Sequence, residues 1–315
     1  MRILANDGID PIGKKLLEEA GIEVDTVNIP QAELASKLNA YDGITVRSAT
    51  KVRKDLIDAC PNLKIIGRGG VGMDNIDVEY AKSKGVAVEN TPASSSQSVA
   101  ELVFTHLFNG VRFVYDANRT MPVGGNTKFN DLKKKYAKGI ELKGKTIGII
   151  GFGRIGKETA KIALGLGMDV LAFDLYDIPK TLKLELSGGV TVDVPVKKVD
   201  METLLAQSDF ISLHIPFTEK PVLGVEEFEK VKAGVGIVNC SRGGTIDEDA
   251  LIAALDSGKV GFAGLDVFDN EPNPRVDLLQ HPKVSLTPHI GASTNEAQER
   301  IGVELANLII DHLKN

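Results

Sequence analysis

Cysteine is scarce in this chain: Cys60 and Cys240 are the only two in 315 residues. Two are too few for a disulfide framework, and neither has metal-ligand spacing, so no metal is expected and the compartment is expected to be reducing. Long apolar runs are missing as well. The longest apolar-looking stretch, Val99 to Tyr115, is interrupted by Glu101, His106 and Arg112, which argues against a membrane span. There is no cationic excess: 37 basic residues face 43 acidic ones, for a net charge of -6. That balance disfavours nucleic acid and anionic membranes as partners and leaves room only for local basic clusters. Residues Met1 to Asn6 turn polar too soon for a signal-peptide core, so a cytoplasmic location is expected. No short-period repeat or low-complexity tract is evident.

What is present is an alternation of short apolar strands and helices. The hydrophobic fraction of 43% suits two cores, and the length favours two domains. Strands are expected at Ile3-Leu4, Val24 to Val27, Gly43 to Val46, Leu63 to Ile66 and Val86 to Val88. Helices are expected at Pro11 to Ala20, Gln31 to Leu38, Lys54 to Ala59 and Val78 to Ser83. A long helix follows, with capping-box spacing at Ser98-Val99-Ala100-Glu101, and Met121 to Gly139 reads as loop. A second alternation runs from Thr146 to Leu286. The last helix is expected to start at Ser293, again with a capping box over Ser293 to Glu296. The pattern predicts an α/β protein of two doubly wound parallel-sheet domains. One consists of residues 1–98 and 287–315, and a nucleotide-binding domain of residues 99–286 is inserted into it.

The second alternation opens on Gly151-Phe152-Gly153-Arg154-Ile155-Gly156, directly after the strand Thr146 to Ile150. The first glycine permits a tight turn, the second lets backbone approach a pyrophosphate, and the third lets helix pack on strand. Asp174 ends the next strand at about the 20-residue offset of a ribose-binding acid. Its carboxylate would repel a 2′-phosphate, which favours NAD over NADP. A glycine turn with a ribose acid also occurs in S-adenosylmethionine proteins, so the motif alone does not name the chemistry.

Three residues downstream narrow it. Arg242, Glu271 and His289 each follow or adjoin an apolar strand-like run. A cation to hold an anionic substrate, an imidazole to take a hydroxyl proton and a carboxylate to orient the imidazole suit hydride removal from an alcohol carbon. Taken singly, each has a bland reading as a helix-flanking cation, a turn acid or a satisfied polar residue. Together they converge. His106 reads as a domain-packing or solvated residue, His281 and His312 as surface residues, and Lys133 to Lys135 as a solvated face.

The cofactor loop, Asn239-Cys240-Ser241-Arg242-Gly243-Gly244, Leu265-Asp266-Val267-Phe268 with Glu271-Pro272, and Pro288-His289-Ile290-Gly291-Ala292 resemble the D-isomer-specific 2-hydroxyacid dehydrogenases over essentially the whole chain. The resemblance implies a Rossmann domain inserted into a flavodoxin-like substrate-binding domain. It implies catalysis by Arg242, Glu271 and His289, with Arg242 on the substrate carboxylate and C2 oxygen. It places Gly151, Gly153, Arg154, Ile155, Gly156, Asp174, His214, Ile215, Pro216, Cys240, Ser241, Asp266, Gly291 and Ala292 along NAD. Within the family the likeness is strongest to members acting on 3-phosphoglycerate. There, the counterparts of Arg47 and Ser48 handle the phosphate, and the amides of Gly69, Gly70 and Val71 receive the carboxylate. A homodimer is implied too. The chain departs from the pattern at Val71, at Leu175 and over Met121 to Gly139, where a frequent tryptophan is missing. Glyoxylate, hydroxypyruvate or another small D-2-hydroxy acid remains an alternative substrate. A nucleotide-sensing scaffold like the C-terminal-binding corepressors is an alternative of another class.

Overall fold

The computed structural model describes residues 1–314, with side chains described through His312. The chain divides into two units, residues 1–98 with 292–315 and residues 99–291.

The first unit is built on a five-stranded parallel sheet of β1 (Arg2–Ala5), β2 (Glu23–Asp25), β3 (Gly43–Val46), β4 (Ile65–Arg68) and β5 (Ala87–Asn90), in the order β2-β1-β3-β4-β5. Every residue of β3 is buried, as expected of a strand covered on both faces. One face packs Leu4, Ile44, Val46, Leu56 and Ile66 under the connecting helices. The other packs Ile3, Ala5 and Ile65 against Leu17 of helix Pro11–Glu19 and Leu305 and Ile309 of helix Asn295–Lys314. Those two helices approach at Gly13 and Gly302, where a Cβ on Gly13 would lie 2.5 Å from the Gly302 carbonyl oxygen. Any side chain there would push the helices apart.

The second unit carries a seven-stranded parallel sheet of β6 (Thr146–Ile150), β7 (Asp169–Phe173), β10 (Lys197–Lys198), β11 (Phe210–Leu213), β12 (Val235–Asn239), β13 (Val260–Leu265) and β14 (Val284–Leu286). Its order is β10-β7-β6-β11-β12-β13-β14, which reverses direction between β6 and β11. A separate antiparallel hairpin, β8 (Thr181–Glu185) and β9 (Thr191–Pro195), was not expected from the sequence. Only Leu182 in it is fully buried, so its apolar alternation is faint.

Several boundaries differ from the sequence reading. Helix Ser96–Val111 starts ahead of Ser98, so Ser98 is no N-cap; the turn already forms where the Ser96 amide donates to the Ala93 carbonyl. The C-terminal helix starts at Asn295, and its cap is Thr294, whose hydroxyl accepts from the Ala297 amide at 3.2 Å. Gln31 to Leu38 is broken into 3₁₀, α and 3₁₀ turns ending at Ala40. The expected loop over Met121 to Gly139 instead contains the end of helix Val114–Gly124 and helix Phe129–Lys135. Neither buries a residue, so no apolar stripe announces them. Lys135 and Tyr136 join the two by hydrogen bonds of 2.6 and 2.8 Å to Asp116.

Thr287 to Gly291 belongs with the second unit rather than the first. Asp266 holds it there, accepting from the Thr287 hydroxyl and from the Ile290 and Gly291 amides. Among the described residues, no helix is long and apolar enough to cross a membrane.

Candidate active site

In an open parallel sheet the ligand crevice forms at the carboxyl ends of the strands where their order reverses. In the second unit that point lies between β6 and β11, followed by the Gly151 loop and His214 respectively. The loop fits a dinucleotide by three observations. Gly151 has a φ of 90°, and a Cβ on it would lie 2.4 Å from the His214 carbonyl oxygen. A Cβ on Gly156 would lie 2.2 Å from the Gly151 carbonyl oxygen, which fixes the close packing of helix on strand. A Cβ on Gly153, by contrast, would meet nothing within 4 Å, so open space lies in front of the helix that begins at Arg154.

Asp174 is tied to this loop: it accepts from the Phe152 amide at 2.6 Å and from the Tyr176 amide at 2.9 Å. The carboxylate therefore sits beside the turn with both oxygens oriented by backbone. His214 is half-buried, with Nε2 2.9 Å from the Ser212 hydroxyl and an enclosed Nδ1 lacking a protein partner. Burial pulls its pKa down to about 3, so it is neutral near pH 7. Ile215 is half-buried and Pro216 exposed beside it.

Arg242 stands on a loop scaffolded by Asn239. The Asn239 amide group donates to the Arg242 carbonyl and the Thr245 hydroxyl, each at 3.0 Å, and its oxygen accepts from the Ser241 amide and hydroxyl. The sequence reading quoted Asn239 without giving it a role. Gly243 brings this loop against the next one, since a Cβ there would lie 2.0 Å from the Phe268 carbonyl oxygen. Cys240 and Ser241 are buried, and burial pushes the Cys240 thiol well above its usual range.

Glu271 and His289 are in direct contact, His289 Nδ1 to Glu271 Oε2 at 2.8 Å, with each side chain about one-third exposed at 36% and 34%. The other oxygen, Oε1, accepts from the Phe268 amide at 2.9 Å. Burial works to raise the Glu271 pKa, but the His289 hydrogen bond, the Phe268 amide and the charges of His289 and Arg242 outweigh it and hold it low. An ionised carboxylate on Nδ1 fixes the neutral imidazole as the Nδ1–H tautomer and leaves the Nε2 lone pair as base. Among the described residues Nε2 has no partner. His289 has φ 55°, unusual for a residue with a side chain, and its amide donates to the Asp266 carbonyl at 2.8 Å. A cavity of about 430 Å³ adjoins the pair, lined mainly by Phe268, Pro272, Leu279, Leu286 and Pro288. Neither Arg242 nor the Gly151 loop lines it.

In the first unit the order reverses between β1 and β3, and Arg47 directly follows β3. Asp7, after β1, accepts from the Arg47 and Thr50 amides and the Thr50 hydroxyl, while Asn75 donates to the Arg47 and Thr50 carbonyls. The backbone of Arg47 is thus fixed, and its guanidinium has no partner among the described residues. Asp7 and Asn75 were missed in the sequence, where polar residues after strands carried no distinguishing spacing. Ser48 is exposed. The amides of Gly69 and Gly70 are engaged with the Val46 carbonyl at 2.9 Å and the Thr91 hydroxyl at 2.7 Å. Of the three assigned to a carboxylate, the Val71 amide alone lacks a partner among the described residues. Ala292 opens the returning segment of the first unit.

One histidine corrects the sequence reading, and a second resolves to the packing alternative rather than the solvated one. His281 is buried at 8% exposure, not a surface residue, and its Nδ1 accepts from the Lys283 amide. His106 is fully buried between Ser285 and Thr287.

Residues 104–291 match the family described as D-isomer specific 2-hydroxyacid dehydrogenase, NAD binding domain. A hydroxypyruvate reductase of Thermotoga maritima is 46% identical over 99% of this chain and 98% of its own length. A D-3-phosphoglycerate dehydrogenase of Methanocaldococcus jannaschii is 43% identical over 98% of this chain, which spans only 57% of that protein. Among solved structures, the NAD⁺-bound 3-phosphoglycerate dehydrogenase of Entamoeba histolytica is similar with a TM-score of 0.80 and 29% identity, over 100% of this chain and 96% of that one.

Proposed function

The chain belongs to the D-isomer specific 2-hydroxyacid dehydrogenases, with NAD as cofactor, and on that premise we propose that it oxidises 3-phospho-D-glycerate to 3-phosphohydroxypyruvate. This is the entry reaction of the phosphorylated route to serine, carried out here by a cytoplasmic homodimer. The Gly151 loop and the first turn of the following helix would hold the pyrophosphate of NAD, Asp174 would hold its ribose, and the bound nicotinamide would supply the hydride acceptor for C2.

Arg242 binds the substrate carboxylate and C2 oxygen. His289 Nε2 takes the C2 hydroxyl proton, and the imidazolium that forms is stabilised by ionised Glu271 on Nδ1. The same pair returns the proton in the reverse direction. The observation that carries this reading is the 2.8 Å His289–Glu271 contact, which leaves Nε2 unpartnered among the described residues. A second anionic group on the substrate is supported by Arg47, whose guanidinium has no protein partner among the described residues at the switch point of its sheet.

A second reading, reduction of hydroxypyruvate or glyoxylate, is favoured by the full-length likeness to the Thermotoga reductase. Absorbance of NADH separates the two. Turnover of 3-phosphoglycerate and its oxo product at least about ten-fold more efficiently than hydroxypyruvate supports the first reading. The reverse ratio replaces it with the second.

A further inference from the structure

The acid/base pair is attached to a chain of buried and half-buried polar groups that ends on the helix Ser96–Val111. His106 has no exposed surface and spans two hydroxyls, with Nδ1 2.9 Å from Ser285 Oγ and Nε2 3.0 Å from Thr287 Oγ1. Thr287 Oγ1 in turn donates to Asp266 Oδ1 at 2.6 Å. The same carboxylate receives the Ile290 and Gly291 amides, each at 2.8 Å, and the Asp266 carbonyl receives the His289 amide. Room for the imidazole is built into the sheet: a Cβ on Gly264 of β13 would lie 2.4 Å from the His106 Cβ.

Proton counting gives this chain one direction. The Asp266 carboxylate can only accept, so the single Thr287 proton goes to it. Thr287 Oγ1 must then accept from His106 Nε2–H, which makes Nδ1 an acceptor for the Ser285 hydroxyl. Burial holds His106 neutral, with a pKa lowered to about 4, in keeping with one N–H and one lone pair.

We propose that His106 is a positioning residue for the acid/base centre, acting through Thr287 and Asp266 to fix the left-handed backbone at His289. The inference rests on the reading of His289 as the acid/base. A imidazole in one tautomer orients the Thr287 hydroxyl, the hydroxyl pins one carboxylate oxygen, and the carboxylate grips the residues on both sides of His289. Losing the first link should loosen the His289 loop while leaving the cofactor turn after β6 untouched.

The test compares His106→Phe, which fills much of the volume without either hydrogen bond, with His106→Gln, which offers a donor and an acceptor. His106→Phe should lower kcat about ten-fold while NAD affinity stays within about three-fold, and His106→Gln should recover most of the loss. Thr287→Val should match His106→Phe, and the double variant should lose no more than either single one, because both cut the same chain. Thr287→Val carries the same prediction should His106→Phe not fold. Nitrogen NMR of the wild type should show His106 as the Nε2–H tautomer. A wild-type kcat in folded His106→Phe, additive losses, or an Nδ1–H tautomer would each overturn the proposal. His289→Asn is measured in parallel: full turnover there removes the acid/base reading itself, whereas its loss beside an active His106→Phe removes only the role of His106.

Discussion

The turn after β4, Gly69-Gly70-Val71-Gly72, and the turn after β6, Gly151 to Gly156, are both glycine-rich and both lie at the carboxyl ends of parallel strands. Their amides do different things. After β4, Gly69 and Gly70 donate within the unit, and the Arg68 guanidinium fills the space where a Gly70 side chain would stand. After β6, open space lies at Gly153 and a 12-residue helix presents its first turn to it. Glycine content therefore does not make an anion cradle. Unpaired amides facing open space do, and the first turn of a sizeable helix supplies them. The turn after β4 is a ledge of engaged amides, and under the proposed function recognition of charge in its unit falls mainly to the Arg47 side chain.

Gly153→Ala puts this contrast to its strongest test. The added methyl meets no protein atom within 4 Å, so the variant should fold and melt like the wild type. It should nevertheless bind NAD about a hundred-fold more weakly, because the methyl occupies the approach of the pyrophosphate. Titration of NAD against both proteins, with melting curves alongside, checks this. Unchanged affinity would mean that the two turns do not differ in the way described.

Arg47→Ala probes the ledge side. Removing one charge-assisted phosphate contact should cost about 1.5–3 kcal/mol, or roughly one to two orders of magnitude in kcat/KM for 3-phosphoglycerate. Hydroxypyruvate should be affected much less. Equal losses on both substrates would make Arg47 structural and put the second reading ahead.

Asp174→Ala should have the smallest effect, narrowing the preference for NAD over NADP by about ten-fold as the repelling carboxylate goes. Because Asp174 also accepts from the Phe152 amide, some affinity for both nucleotides should fall together. A wild type that already prefers NADP would contradict the assignment of this acid.

The sequence was most legible where strands are buried on both faces. Gly43–Val46 and Thr146–Ile150 were read to the residue, because a short apolar run between turn signals has few other uses. Helices Val114–Gly124 and Phe129–Lys135 were not read, since they bury no stripe and contain or adjoin Pro122, Gly124 and Gly125. The contact of Glu271 with His289 was expected from the resemblance. What holds the loops in place was not: Asp266 grips the residues around His289, Asn239 the Arg242 loop, and Asp7 and Asn75 the Arg47 backbone, each mainly through hydrogen bonds to backbone, which leave no spacing rule. His106 was left between packing and solvent for a related reason. A polar residue on an apolar helix face looks the same whether it meets water or a buried hydroxyl, and only the missing Cβ of Gly264 marks the difference.

The proposed reaction turns on the Nε2 of His289 acting as base, with ionised Glu271 on Nδ1. His289→Asn keeps a side chain of similar breadth and removes that base. Steady-state formation of NADH should fall by about two to four orders of magnitude, with NAD affinity within a few-fold of the wild type. Near-normal turnover in a folded His289→Asn protein would contradict the account.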